Sequence, residues 1–228
     1  MILMVASSTA ELQNLNCPII EDVHHPPQLL TENSPMIAVP VGVGLIQAAL
    51  NTYEAIVRFH PQWVVGVGSC CAISPEVAVG ALIIPSTVIH YGMDLRRFGL
   101  QRGVTFSGTK ERIGALPVDS LVRWPHDGVD TWEGVRVWQS GTLGSADRFS
   151  TSADSVSMPW MRDTLHLTAI DMESYAMVAA ARQAHTPISI IRTVSDTWSG
   201  ERAASLSSLL KESSVRVRNL LDAYGVIV

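Results

Sequence analysis

The residues whose types and spacing could do chemistry concentrate in two short stretches. In AIDMESYAMVAAA, residues 169–181, Asp171 and Glu173 stand between a strand-like apolar run and a helix-forming run. In SIIRTVSDTWSG, residues 189–200, Arg192 interrupts a second apolar run and Asp196 closes it. Burying an unpaired charge is costly, so these charges either lie exposed at a strand end or face one another across a site. Helix capping accounts for Asp171 unaided, because free N–H groups and the helix dipole favour an acid at a helix start. Glu173 and Asp196 are different. A strand, turn, helix and strand fill the distance between them, which returns the chain to the same sheet edge and brings both carboxylates towards one cleft. Asp196 could also serve as an N-cap, but a cap leaves Arg192 unexplained.

Those residues need strands to carry them. Short β-rich runs alternate with helical patterns, which indicates an α/β chain with a largely parallel sheet covered by helices. The expected strands are Ile2–Ala6, Met36–Val41, Trp63–Val67, Ala81–Val88, Gly134–Ser140, Ala169–Met172 and Ile188–Val194, and the clearest helices are Ile46–Phe59, Ser174–Ala184 and Ser205–Tyr224. Pro61, Pro75 and Pro187 punctuate them. Residues 101–125, richer in Gly, Pro and charge, are expected to form an excursion over the active face. With no repeat, low-complexity tract or linker, one domain over residues 1–228 is expected.

Two strand ends carry glycine-rich turns, VPVGVGLIQAAL at 39–50 and VVGVGSCCAI at 64–73. The first fails as a dinucleotide fingerprint, because Gln47 stands where the third glycine belongs. No Walker lysine follows either turn. Glycine permits a tight strand-to-helix turn; it also lets a ligand approach bare backbone at the carboxyl edge of an open sheet, with the Ser69 hydroxyl free.

Composition excludes several functions. The chain has 47% hydrophobic and 16% charged residues and a net charge of −5, with no basic cluster, so nucleic acid is not an expected partner. Three cysteines, two of them the adjacent Cys70 and Cys71, give neither a disulfide framework nor metal-ligand spacing, and suit a reducing cytoplasm. The N-terminal apolar run is too short and lacks the basic residues of a signal peptide. No apolar stretch reaches the roughly 18 residues a membrane helix requires, so no membrane partner is expected.

The string from Ala169 to Ser199 resembles the nucleoside phosphorylase and nucleosidase superfamily, specifically bacterial 5'-methylthioadenosine/S-adenosylhomocysteine nucleosidases and the related futalosine hydrolases. Those proteins carry Met-Glu after a strand and Arg-x-x-Ser-Asp at a strand end, as DMES and IIRTVSD do here. The resemblance continues through VGVGLIQAAL, GVGSCCAISPEVAVGALIIPSTVIHYGMDLRRFG and GSADRF in the same order. It implies a phosphorylase/hydrolase-like fold with a mixed, mainly parallel sheet, and hydrolysis of the N-glycosidic bond of a purine nucleoside. Such a bond breaks through an oxocarbenium-like sugar while negative charge moves onto the base. By resemblance Asp196 is the acid that protonates purine N7, a role that an apolar pocket would favour. Glu173 holds the ribose hydroxyls, Met172 lies against the sugar, Phe149 stacks on the base, and Val43 and Ser195 complete the substrate contacts. Phe149 is equally readable as plain core.

Water and phosphate divide the superfamily. Phosphate needs fixed cations, usually arginines, and phosphorylases resembling this chain place one where Gly66 stands here and another in the N-terminal loop. Here that loop is ASSTAELQ, whose ionisable residue is Glu11. A carboxylate at that place would repel phosphate but could take a proton from water; by resemblance Glu11, Ser69 and Arg192 hold the attacking water, although an exposed first-turn glutamate would look the same. The resemblance implies no cofactor or metal, and a homodimer or higher homo-oligomer. Three departures bear on the substrate: Cys70-Cys71 crowds the glycine turn, TWSGERAAS replaces the usual continuation after Asp196, and segment 14–35 is proline-rich with His24 and His25 as surface residues. The alternatives are a phosphate-dependent phosphorylase, a futalosine-type hydrolase, or a purine-binding homologue without catalysis.

Overall fold

The computed structural model describes residues 1–24, 34–108, 111–121 and 129–224. The strands are β1 (Ile2–Ala6), β2 (Met36–Pro40), β3 (Trp63–Ala72), β4 (Leu82–Ile84), β5 (Thr87–His90), β6 (Thr105–Phe106), β7 (Arg112–Ile113), β8 (Leu116–Pro117), β9 (Val129–Trp132), β10 (Val135–Gln139), β11 (Thr142–Ser145), β12 (Leu167–Asp171) and β13 (Ile188–Thr197). Apart from the β6–β7 hairpin they form one sheet of eleven strands, ordered β8-β5-β11-β12-β3-β13-β4-β10-β9, with β1 between β3 and β2. The sheet is mixed and mainly parallel, as expected.

Strand periodicity sorts the core onto both faces. Leu3 and Val5 of β1 join Ile37, Val39, Val64, Ile188 and Ile190 on one face, where α1 (Leu45–Phe59) and α2 (Ser174–Gln183) cover them. Ile2, Met4 and Ala6 join Met36, Ala38, Val65 and Ile191 on the other, against Val217, Leu220 and Leu221 of α3 (Leu206–Ala223). A strand buried on both faces must be apolar at every position, and all five residues of β1 are buried. The alanines of α2 allow it to pack closely on α1.

The sheet holds two parallel sets. In one, β2, β1, β3 and β13 run together; in the other, β5, β11 and β12 do. They meet where Ala169 and Ile170 of β12 pair antiparallel with Ala72 and Cys71 of β3. The carboxyl-terminal ends of both sets thus overlap at the centre, and the turns that follow these strands face one cleft.

Several boundaries differ from the expected ones. The run Ala81–Val88 is two strands, because Pro85 lies between them and lacks the N–H a ladder requires. Strands β3 and β13 continue through Ala72 and Thr197, since each supplies the other's ladder to its end. Among the described residues the expected excursion over the active face holds only at its start, where Arg102 shares a pocket with Asp147 and Arg148 beside the cleft; the later part runs elsewhere. Within residues 101–121, β8 pairs with β5 at the sheet edge, and Asp119 hydrogen-bonds Ile188 at the start of β13, the end away from the cleft. Residues 109, 110 and 122–125 of that stretch lie outside the described residues, as does His25. His24 is exposed and pairs with Glu54 at 3.1 Å. Among the described residues no helix is long and apolar enough to cross a membrane.

Candidate active site

A cavity of about 180 Å³ opens at the central cleft. The turn after β1 supplies Ser7 and Glu11, the turn after β2 supplies Val43, and the end of β3 supplies Ser69, Cys70 and Cys71. The turn after β12 brings Asp171, Met172 and Glu173; the end of β13 brings Ser195 and Asp196; the loop after β11 brings Arg148, Phe149 and Ser150.

Glu11 lies on a single 3-10 turn and is 8% exposed, not a surface glutamate. One carboxylate oxygen accepts from the Ser7 backbone N–H at 3.0 Å and the Ser7 hydroxyl at 2.6 Å. The other accepts from the Ser69 N–H at 3.0 Å, with the Ser69 hydroxyl at 3.4 Å. Ser214 of α3 donates to the Glu11 carbonyl at 3.1 Å and fixes the turn from below. Gly68 makes this approach possible: at its φ of +142° a Cβ would lie 2.8 Å from the Glu11 carboxylate and overlap the Arg192 guanidinium.

Arg192 is fully buried, and its partner is Asp171, whose carboxylate lies 2.8 Å from Nε. The guanidinium also donates to the Val67 carbonyl and to the Ser174 hydroxyl at 3.0 Å. Burial opposes its charge, but Asp171 first, then Glu173 and Glu11, raise its pKa. Asp171 caps α2 as well, accepting from the Glu173 and Ser174 N–H groups at 3.3 Å and 3.2 Å and from the Ser145 hydroxyl. Capping and charge pairing are thus one function here. Arg192 lies behind the cavity rather than in its wall.

Glu173 is 6% exposed, with one oxygen taking the Gly44 N–H at 3.0 Å. Burial pushes its carboxyl above the ordinary value, against the pull of Arg192 and the Gly44 N–H. At the end of β13 the register with β3 shifts between Val194 and Asp196, leaving Ser195 as a bulged residue. A regular strand would send neighbours to opposite faces; the bulge aims both Ser195 and Asp196 into the cavity. The Ser195 hydroxyl donates to Asp196 at 2.7 Å. Cys71, opposite Asp196 in register, places its thiol against that carboxylate. Burial first, then Asp196, push the Cys71 thiol far up, so it is not a thiolate nucleophile at neutral pH.

The structure thus gathers Glu11, Ser69, Glu173, Met172, Phe149, Val43, Ser195 and Asp196 around one cavity, with Arg192 directly behind. Phe149 is 71% exposed at the rim and is not core. Sequence reasoning missed Ser7, whose Oγ and N–H hold Glu11, and Asp147, which caps α1 by accepting from the Leu45 N–H at 2.7 Å. It also missed Arg148, Ser150 and Asp154 in the loop behind Phe149. The density of Ser and Asp in GSADRFSTSAD was the available signal. Among the described residues no group of three or more His, Cys, Asp or Glu could hold a metal ion.

Fold and cavity together define a class. The family model of the phosphorylase superfamily matches residues 28–224, and the chain belongs to that superfamily. Among its relatives, the 5'-methylthioadenosine/S-adenosylhomocysteine nucleosidase of Bacillus subtilis is 25% identical over 195 residues, covering 83% of this chain and 80% of the relative. That of Colwellia psychrerythraea is 27% identical over 203 residues, covering 83% and 78%. The same fold occurs in the Campylobacter jejuni nucleosidase of that name, with a TM-score of 0.74 at 16% identity over 98% of this chain and 97% of the other. It recurs in the Colwellia psychrerythraea enzyme solved with adenine, with a TM-score of 0.72 at 20% identity over 98% and 95%.

Proposed function

We propose that this chain, a single domain over residues 1–228, hydrolyses the N-glycosidic bond of a purine nucleoside of the 5'-methylthioadenosine or S-adenosylhomocysteine type and releases the free base. Asp196 gives a proton to purine N7, Glu173 accepts the ribose hydroxyls beside Met172, and Phe149 covers the base. Val43 and Ser195 complete the substrate contacts. Glu11 with Ser69 holds the attacking water and takes its proton, while Arg192 supports Glu11 electrostatically from behind. Cleavage of such a bond needs the leaving base neutralised and the oxocarbenium met by a nucleophile, and the cavity supplies a separate carboxylate for each task.

The observation that carries hydrolysis over phosphorolysis is the charge of the cavity wall. Glu11, Asp171, Glu173 and Asp196 line it, and the guanidinium that reaches it, Arg148, is paired with Asp154. Arg192 is committed to Asp171. A side chain at position 66 would have to displace its neighbours, because a Cβ there would lie 2.6 Å from Ile190 Cδ1 and 3.1 Å from the Met177 sulfur. Phosphate would meet the Glu11 carboxylate and no free cation among the described residues of the wall.

Incubation with 5'-methylthioadenosine, with and without phosphate, tests this. Free adenine and free methylthioribose in phosphate-free buffer support hydrolysis. A requirement for phosphate, with a sugar 1-phosphate as product, excludes it. Inosine-type nucleosides in the same panel separate a futalosine-type base preference.

We also propose that the protein is a cytoplasmic homodimer or higher homo-oligomer without a cofactor. Ile46, Leu50, Tyr53 and Val57 form an exposed apolar stripe along α1, at 69%, 61%, 42% and 50% exposure. The stripe continues to Val43 at the cavity, so a second copy covering it would close the site as well.

A further inference from the structure

We propose that Trp198, Ser150 and Asp154 are positioning residues that lock the base-facing loop of the cavity to the strand end carrying Asp196. This rests on the nucleosidase reading above and names what aligns the base with its acid.

Phe149 stands at the cavity rim with most of its ring exposed. Core packing therefore does not fix the ring, and the backbone on either side must. That backbone is held by one buried carboxylate. Asp154, 4% exposed, accepts from the Arg148 guanidinium, from the Ser150 hydroxyl at 3.2 Å and from the Thr151 N–H at 2.8 Å. Arg148 and Ser150, the two residues that adjoin Phe149, and Thr151 beyond them thus converge on Asp154.

The Ser150 hydroxyl carries the connection onward by accepting from the Trp198 indole N–H at 3.0 Å. Trp198 is buried, lies two residues beyond Asp196, and donates its backbone N–H to the Ala72 carbonyl of β3 at 2.9 Å. The chain of bonds thus runs from β3 and β13 through Trp198 and Ser150 to Asp154, and back along the loop to Phe149. The unusual Thr-Trp-Ser-Gly after Asp196 acquires a purpose in this arrangement. The Ser150 hydroxyl, committed at both ends, is a strut and not a reader of the substrate.

Proton transfer to N7 depends on the base lying in register with Asp196, and a misplacement of about 1 Å can cost on the order of 100-fold in rate. A bond that needs no proton on its leaving group is insensitive to that register. The test compares wild type with Trp198→Phe, Ser150→Ala and Ser150→Thr on two substrates, 5'-methylthioadenosine and p-nitrophenyl 5-methylthioriboside, whose leaving group departs as the anion. Trp198→Phe and Ser150→Ala should lower kcat on the nucleoside by about 10- to 100-fold. Turnover of the nitrophenyl riboside should change little, and Ser150→Thr, which keeps the hydroxyl, should restore most of the nucleoside activity. Should Trp198→Phe fail to fold, Ser150→Ala and its threonine rescue carry the result. Equal losses on both substrates, no loss on the nucleoside, or no rescue by threonine would overturn the proposal. A wild-type protein that turns over the riboside but releases no base from any purine nucleoside overturns the underlying reading, and this one with it.

Discussion

Replacing Asp171 by asparagine isolates what the buried ion pair contributes to the site. The carboxylate takes Arg192 Nε at 2.8 Å, Ser174 N–H at 3.2 Å and Glu173 N–H at 3.3 Å, with the Ser145 and Ser174 hydroxyls also donating to it. An asparagine offers one acceptor oxygen and turns an NH₂ towards groups that are themselves donors. The guanidinium, fully buried, has no route to water. Breaking a buried ion pair by removing one partner costs about 3–5 kcal/mol. Glu173 and Glu11 still act on Arg192, which places the cost at the lower end, about 3 kcal/mol. In a chain of this size each kcal/mol shifts the melting temperature by about 2–4 °C, so a fall of roughly 6–12 °C is expected. Thermal denaturation followed by circular dichroism reads it. Joining Arg192→Leu to Asp171→Asn, which removes the buried charge but keeps an acceptor for the Ser145, Ser174 and Glu173 donors, should recover much of the loss, because the uncompensated charge is the main penalty. Activity should not return in the double variant, since Glu11 has lost the cation behind it. A change under about 1 kcal/mol in Asp171→Asn, or a double variant no more stable than the single one, would refute this account of the pair.

Asp196→Asn keeps size and polarity but has no acidic proton, so turnover should fall about 100- to 10,000-fold while a purine analogue, followed by calorimetry, still binds. Glu11→Gln should lose hydrolysis to a similar degree without rescue by added phosphate, and full activity would return Glu11 to a structural role. Burial raises the Glu173 pKa above its ordinary value of 4.5. Protonation therefore favours the folded state; that stability is whole below about 4.5 and is lost as pH rises through the folded value. Glu173→Gln should thus raise the melting temperature at pH 8 more than at pH 4.5 while abolishing activity, and an equal shift at both would contradict the burial cost. Leu50→Glu, on the exposed stripe of α1, should shift sedimentation towards the monomer and lower activity. A wild type that already sediments as a monomer at micromolar concentration would remove the oligomer.

Much of the fold was legible because the two signals that encode it are local. Alternating and continuous apolar runs marked the principal strands, and Ile46–Phe59, Ser174–Ala184 and Ser205–Tyr224 correspond to α1, α2 and α3 within a residue or so. Short strands such as β8 at the sheet edge and β11 inside it carried too few residues to show a period. Glycine, proline and charge in 101–125 mark exposure but not direction; the pairing of β8 with β5 and of Asp119 with Ile188 takes residues 116–119 away from the cleft.

For the site, residue types in order singled out Glu173, Asp196 and Ser69, and the family resemblance added Glu11. Spacing and a strand-helix-strand excursion were enough to send Glu173 and Asp196 to one edge. What the order of residues did not contain was partnership. Arg192 and Asp171 are a strand and a helix apart, and only the side-by-side placement of β12, β3 and β13 shows that they neutralise each other. The bulge at Ser195 is a property of the β3–β13 ladder, so neither strand alone discloses that two neighbours face the same cavity. The bonds from Trp198 to Ser150 and from Leu45 to Asp147 likewise join residues distant in the chain. Local sequence determines which chemistry is available, because side-chain identity and strand or helix propensity act over a few residues. Tertiary structure decides which charges are spent on one another and which remain for a substrate, because that depends on burial and on contacts between elements.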